Sequence, residues 1–146
     1  MNAQPPSRAA LERTLDRTLG IEVLERDADS VRGRMPVSDR VLQPYGIVHG
    51  GALLALAETL ASIGTALAVF EDGKIAMGQE LSASYLRPIS EGHVNAIARV
   101  RRRGRTAWNW EVELTDDEDR LCTLARLTIA VRDAGPGGPL RRGKTT

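Results

Sequence analysis

Three hydrophobic patterns follow one another along the chain. Residues 7–19 (SRAALERTLDRTL) place Ala10, Leu11, Leu15 and Leu19 at helical spacing, with Gly20 as a stop. Ile21 to Glu25 and Ser30 to Pro36 read as short strands around the polar turn 26–29. After the loop SDRVLQPYGIVHGG comes the second pattern, HGGALLALAETLASIGTALAVF at residues 49–70. This is a helix apolar on nearly every side, ended by Gly73, a residue suited to a left-handed cap. The third pattern has a period of two. Ile75, Met77, Gln79, Leu81, Ala83 and Tyr85 share one face of a strand over 74–86. Val94, Ala96, Ala98 and Val100 share one face of the next, opposite Asn95, Arg99 and Arg101. Thr106, Trp108, Trp110, Val112 and Leu114 then oppose Asn109, Glu111 and Glu113, and Leu121 to Arg132 forms the last strand.

A helix that is apolar all round must be wrapped, and the long antiparallel strands after it supply the wrapping. The predicted fold is therefore α+β, a hotdog: one curved antiparallel sheet around a central helix. Residues 1–20 form an N-terminal helical segment, 21–132 the main domain, and 133–146 (DAGPGGPLRRGKTT) a disordered tail.

Composition narrows the function. At 146 residues the chain makes one domain, and a net charge of +1 gives no field that would gather nucleic acid or membrane. The basic run Arg99 to Arg105 reads as a solvated strand edge, and Trp108 and Trp110 fall on the apolar face, so nucleic-acid binding is not expected. A lone Cys122 excludes an internal disulfide, and MNAQPPSRAALERT lacks the apolar centre of a signal peptide, so a cytoplasmic protein is expected. Two histidines and one cysteine, widely spaced, give no metal-ligand pattern. The run from Gly51 to Val69 is long enough to span a bilayer, but Glu58 and its small polar residues favour a buried soluble helix.

Glu58 is the only charge between His49 and Phe70. Burial among apolar residues would raise its pKa toward the range of a working base or nucleophile. Gly50-Gly51 opens the same helix, where free N–H groups can hold an oxyanion. Eight residues at about 1.5 Å rise separate Gly50 from Glu58 by roughly 12 Å, too far for one carbonyl to touch both. If both act, two antiparallel helices from different subunits must meet, which predicts a homodimer with shared sites. Ser62, one turn on, faces the same way as Glu58. Taken singly these residues have plainer readings: Gly50-Gly51 as a tight helix entry, His49 as a structural hydrogen-bonding residue, Ser62 as helix packing, Gln43 as a solvated loop residue.

The segments QPYGIVHGGALLALAETLAS, GQELSASYLRPISEGHV and TAWNWEVELTD resemble hotdog-fold acyl-CoA thioesterases of the PaaI-like superfamily. Within it they are most like the Arthrobacter-type 4-hydroxybenzoyl-CoA thioesterases and the enterobactin proofreading thioesterases. The likeness covers roughly residues 35–132. It implies Glu58 as nucleophile or general base, the backbone N–H of Gly50 as oxyanion donor from the opposite subunit, Gln43 as the group polarising the thioester carbonyl, and Ser62 as the hydroxyl four residues beyond the carboxylate. His49 is the histidine of the HGG motif. For CoA the likeness implies contacts from Arg87 and from the loop Gly104-Arg105-Thr106. Arg105 stands where a serine is usual, and a family arginine near the C-terminus has no clear counterpart, for which Arg105 or Arg103 could compensate. The acyl pocket is expected near Ser62 and along the strand carrying Ser82, Ser84 and Tyr85. It also implies a dimer of dimers and no cofactor.

The expected function is hydrolysis of an aryl- or medium-chain acyl-CoA, or of an acyl-carrier-protein thioester. The alternative is a non-catalytic acyl-CoA sensor on the same fold, which would lack the acid. A hotdog hydratase, pairing histidine with carboxylate, fits poorly because His49 adjoins the glycines.

Overall fold

The computed structural model describes residue 9 and residues 12–135. A short helix α1 (Leu15–Leu19) is followed by strands β1 (Glu22–Arg26) and β2 (Ser30–Pro36), the long helix α2 (Gly50–Val69), and strands β3 (Lys74–Tyr85), β4 (His93–Arg103), β5 (Ala107–Thr115) and β6 (Leu121–Asp133). The strands form one antiparallel sheet in the order β1-β2-β4-β5-β6-β3, and α2 packs against it. This is the expected α+β hotdog arrangement.

Alternation decides which face of the sheet receives the helix. Val94, Ala96 and Ala98 on β4, Trp108, Trp110, Val112 and Leu114 on β5, and Ala125, Leu127 and Ile129 on β6 are buried against the helix residues Leu53, Leu56, Leu60 and Ala61. Trp110 donates from Nε1 to Thr65 Oγ1 at 2.9 Å, and that hydroxyl donates to Ala61 O, so the indole N–H is satisfied inside the core. Both tryptophans are core, as the strand pattern predicts.

Four expectations need correction. Of the N-terminal helix predicted over 7–19, only Leu15–Leu19 is helical from residue 12 onward, capped by the Thr14 side chain, which accepts from Arg17 N. Residues 1–8, 10 and 11 lie outside the described residues. Leu15 is 62% exposed, because this single turn meets α2 through Asp16, which accepts from Thr59 Oγ1 at 2.5 Å. Second, Asp133 belongs to β6 and pairs with Lys74, so the sheet runs one residue past the predicted boundary; the predicted tail from 136 onward lies outside the described residues.

Third, the face predicted along β3 is not continuous. The register against β6 shifts between Gly78 and Glu80, leaving Gln79 as an extra residue. Leu81 and Ala83 face the core on one side of the bulge, but Ala76 does so on the other, and Met77 is 47% exposed. Fourth, α2 is wrapped on one side only. By length and composition it could cross a membrane, yet half of it is buried against the sheet. Its other side, with Glu58, is exposed in the single chain, as are Leu67 and Phe70 at its C-terminal end, so the burial inferred for Glu58 from its apolar neighbours is not provided there.

Candidate active site

The start of α2 is built by His49. Its backbone is extended (φ −63°, ψ 133°), its carbonyl accepts from Ala52 N and Leu53 N, and its Nδ1 accepts from Gly51 N at 2.8 Å. That arrangement starts the i→i−4 ladder at Leu53 and satisfies two of the orphan donors of the first turn, Gly51 N and Ala52 N. The N–H of Gly50 has no acceptor among the described residues. His49 thus acts as the N-cap, and the helix opens with one free donor.

One side chain lies beside Gly50. The Tyr85 phenol at the end of β3 lies against Gly50, close enough that a Cβ there would stand 2.8 Å from its oxygen. Gln43 is held in the preceding loop: its N–H donates to Ile47 O, its carbonyl accepts from Gly46 N, and its Oε1 accepts from Tyr45 N at 2.9 Å. With the side-chain oxygen occupied, the amide N–H donors of Gln43 are the part left for another acceptor.

Glu58 stands two turns along α2, with Ser62 one turn further. Among the described residues its carboxylate makes no hydrogen bond or ion pair; it lies over the backbone of Gly78 on β3. The alternating pattern alone assigns Gly78 no role, and the one signal for this contact in the sequence is a glycine within a strand, the usual sign of a bulge or a close approach.

The remaining predicted residues divide between the two ends of the sheet. Arg87 follows Tyr85 at the end near the start of α2, and its N–H donates to Cys122 O. Ser82 and Ser84 pair with Arg126 and Leu124 on the outer face, so only Tyr85 of that trio faces the helix start. Arg105 and Thr106 form the β4–β5 hairpin at the opposite end, where Thr106 O accepts from Val131 N and from Arg132 Nη1. Tyr85 pairs with Thr123 and Ala107 with Ala130, seven residues apart on β6, which separates the two ends by roughly 23 Å. Arg103 is already engaged: it donates to Asp29 Oδ1 at 2.7 Å and to Ala28 O, and covers the Trp108 ring at 5.2 Å. Of the two arginines expected to compensate for the missing C-terminal one, Arg105 is therefore the one left without a partner among the described residues.

A groove of about 560 Å³ on the outer face of the sheet is lined by Glu80, Arg101, Glu111 and Arg126, away from Glu58. Its charges answer one another, Arg101 to Glu111 at 2.5 Å and Arg126 to Glu111 at 3.9 Å. The Arg101 guanidinium outweighs partial burial and holds the Glu111 carboxyl below its ordinary value. This is a solvated ion-pair surface.

Comparison with known proteins gives a consistent picture. Residues 45–123 match the family model described as the thioesterase superfamily. The proofreading thioesterase EntH of Cronobacter turicensis is 41% identical over 118 residues, covering 81% of this chain and 85% of that protein. A thioesterase from Haemophilus influenzae superposes with a TM-score of 0.79 at 33% identity, covering 90% of this chain and 94% of that one. An alanine variant of a thioesterase from Pseudomonas aeruginosa superposes with a TM-score of 0.81 at 36% identity, covering 88% and 95%.

Proposed function

The chain belongs to the thioesterase superfamily, and from that premise we propose that it hydrolyses the thioester of an aryl- or medium-chain acyl-CoA, or of an acyl-carrier protein, in sites shared between two copies. The observation that carries the reading is the start of α2: His49 takes up every other early donor and leaves the Gly50 N–H free, while the only carboxylate of the helix stands two turns away.

Glu58 of one copy faces a thioester carbonyl held by the Gly50 N–H and the Gln43 amide of the other. Either Glu58 takes a proton from water as the water attacks, or its own oxygen attacks and water hydrolyses the resulting anhydride. In both routes the carbonyl oxygen becomes an oxyanion, the C–S bond breaks, and the thiol leaves with a proton. Donors aimed at that oxyanion are worth about 10²- to 10³-fold each in rate. Ser62 lies on the Glu58 side, suited to orienting water. His49 serves by capping, which fixes where the Gly50 N–H points.

Two features favour the dimer. β3 is a sheet edge of twelve residues, paired among the described residues only with β6, and a long open edge invites a second strand. Glu58, which lies over Gly78 of β3, and Met77 and Tyr85 of β3 itself are exposed in one chain. Antiparallel pairing of two β3 edges would also bring the Arg87 end of one copy toward the Arg105–Thr106 end of the other, so both could reach one CoA.

The test is hydrolysis of a panel of aryl- and fatty-acyl-CoAs by the wild type and by Glu58→Ala. Loss on the order of 10³-fold in kcat with the fold retained is expected. Equal turnover by Glu58→Ala would remove the mechanism. Tight acyl-CoA binding without turnover by either protein would make this a sensor.

A further inference from the structure

Glu58 has no polar partner among the described residues, yet its carboxylate has a defined seat. A Cβ built on Gly78 would collide with Glu58 Oε1 and stand 3.0 Å from its Cδ. The seat exists because of the β3 bulge. Counting inward-facing residues back from Tyr85 through Ala83 and Leu81 would bring Gln79 to face the helix. The extra residue at the bulge restores Gly78 to that face, opposite Ile129 of β6, and turns Gln79 away. A glutamine side chain at this point would occupy the space that the carboxylate now fills.

We propose that Gly78, presented by the bulge at Gln79, is a positioning residue that sets where the Glu58 carboxylate stands relative to the thioester carbonyl. This follows only if Glu58 is the reacting carboxylate, as read above. The predicted collision is with the far end of a flexible side chain. An added methyl therefore displaces the carboxylate rather than breaking the sheet, and its effect falls on kcat more than on stability. Misplacing a reacting group by about 1 Å can cost on the order of 100-fold in rate.

The experiment is a cycle of Gly78→Ala, Glu58→Asp, Glu58→Ala and the two double variants, with kcat, KM, thermal midpoint and oligomeric state measured for each. Gly78→Ala is expected to lose about 100-fold in kcat with KM changed less than about threefold and the dimer intact. In the Glu58→Asp background, where the shorter carboxylate draws back from Gly78, the same substitution should cost far less. A Gly78→Ala protein with wild-type kcat, beside an inactive Glu58→Ala, would overturn the positioning role and leave the thioesterase reading standing. A fully active Glu58→Ala would overturn both. If Gly78→Ala fails to fold, recovery of the fold in Gly78→Ala/Glu58→Ala supports the seat. Continued misfolding there would mean that the strand itself needs the glycine, and would overturn the proposal.

Discussion

The Tyr85 phenol lies directly against Gly50, so that a Cβ at Gly50 would stand 2.8 Å from its oxygen and 2.9 Å from Cζ. Residue 50 must therefore be glycine for the ring to cover the start of α2. In Gly50→Ala the half-exposed ring is expected to swing away, costing little stability but at least tenfold in kcat, about 1.4 kcal/mol of barrier. Gly50→Ala/Tyr85→Ala removes the collision and should not fall below the product of the single effects. Steady-state kinetics with thermal melts checks this, and a Gly50→Ala enzyme with wild-type kcat would contradict it.

A similar contact deeper in the core has no such escape. A Cβ on Gly64 would meet Trp110 Cη2 at 2.6 Å and Val31 Cγ2 at 2.9 Å, and both side chains are buried. Gly64→Ala is expected to cost about 1–3 kcal/mol by overpacking. Thr65→Val, which leaves the Trp110 N–H without its acceptor, should cost a similar amount, about 1–3 kcal/mol. Because the two sites share Trp110, their effects should depart from additivity in denaturant melts. Strict additivity would show the ring to be looser than its contacts imply.

The core was readable because it follows simple periods. Trp108, Trp110, Val112 and Leu114 alternate without a break, and they are buried as the alternation predicts. β3 was misread for the opposite reason. One unpaired residue reverses the phase of every side chain beyond it, and neither Gly78 nor Gln79 states by itself which of them is extra. Glu58 was found by its isolation in an apolar helix, yet the expected burial is absent in a single chain. A composition average does not distinguish the side of a helix that its own sheet covers from the side the sheet leaves open. Gly50 and His49 were legible as a motif, whereas the division of labour between them, one donor free and the others capped, needed the hydrogen bonds.

Thr123 carries the one buried side-chain polar atom among the described residues for which no hydrogen-bond partner is found. It lies between Tyr85 and Leu114 and is fully buried. A hydroxyl in that position contributes a desolvation cost and no bond. Thr123→Val should be neutral or stabilising by up to about 2 kcal/mol in denaturant melts. A clear loss of stability would instead place a bound water at that hydroxyl.

The turn joining β5 to β6 should make the fold acid-sensitive. Burial tends to raise the Asp116 carboxyl, but it is outweighed by hydrogen bonds from the backbone and side chain of Arg120 and from Glu118 N, so its pKa lies below the ordinary aspartate value. Asp117 is lowered too, first by the Asn95 amide and then, against slight desolvation, by His93 N. For carboxyls depressed by folding, the unfolded chain binds protons first as pH falls. Their contribution to stability is therefore complete above the unfolded value of about 3.9 and is lost as pH drops through the lower folded values. Stability measured by denaturant titration from neutral pH downward should fall most steeply below about pH 4. Asp116→Asn should be less stable at neutral pH and show a shallower acid limb. An unchanged acid limb in that variant would mean that Asp116 is not among the carboxyls that couple protonation to unfolding.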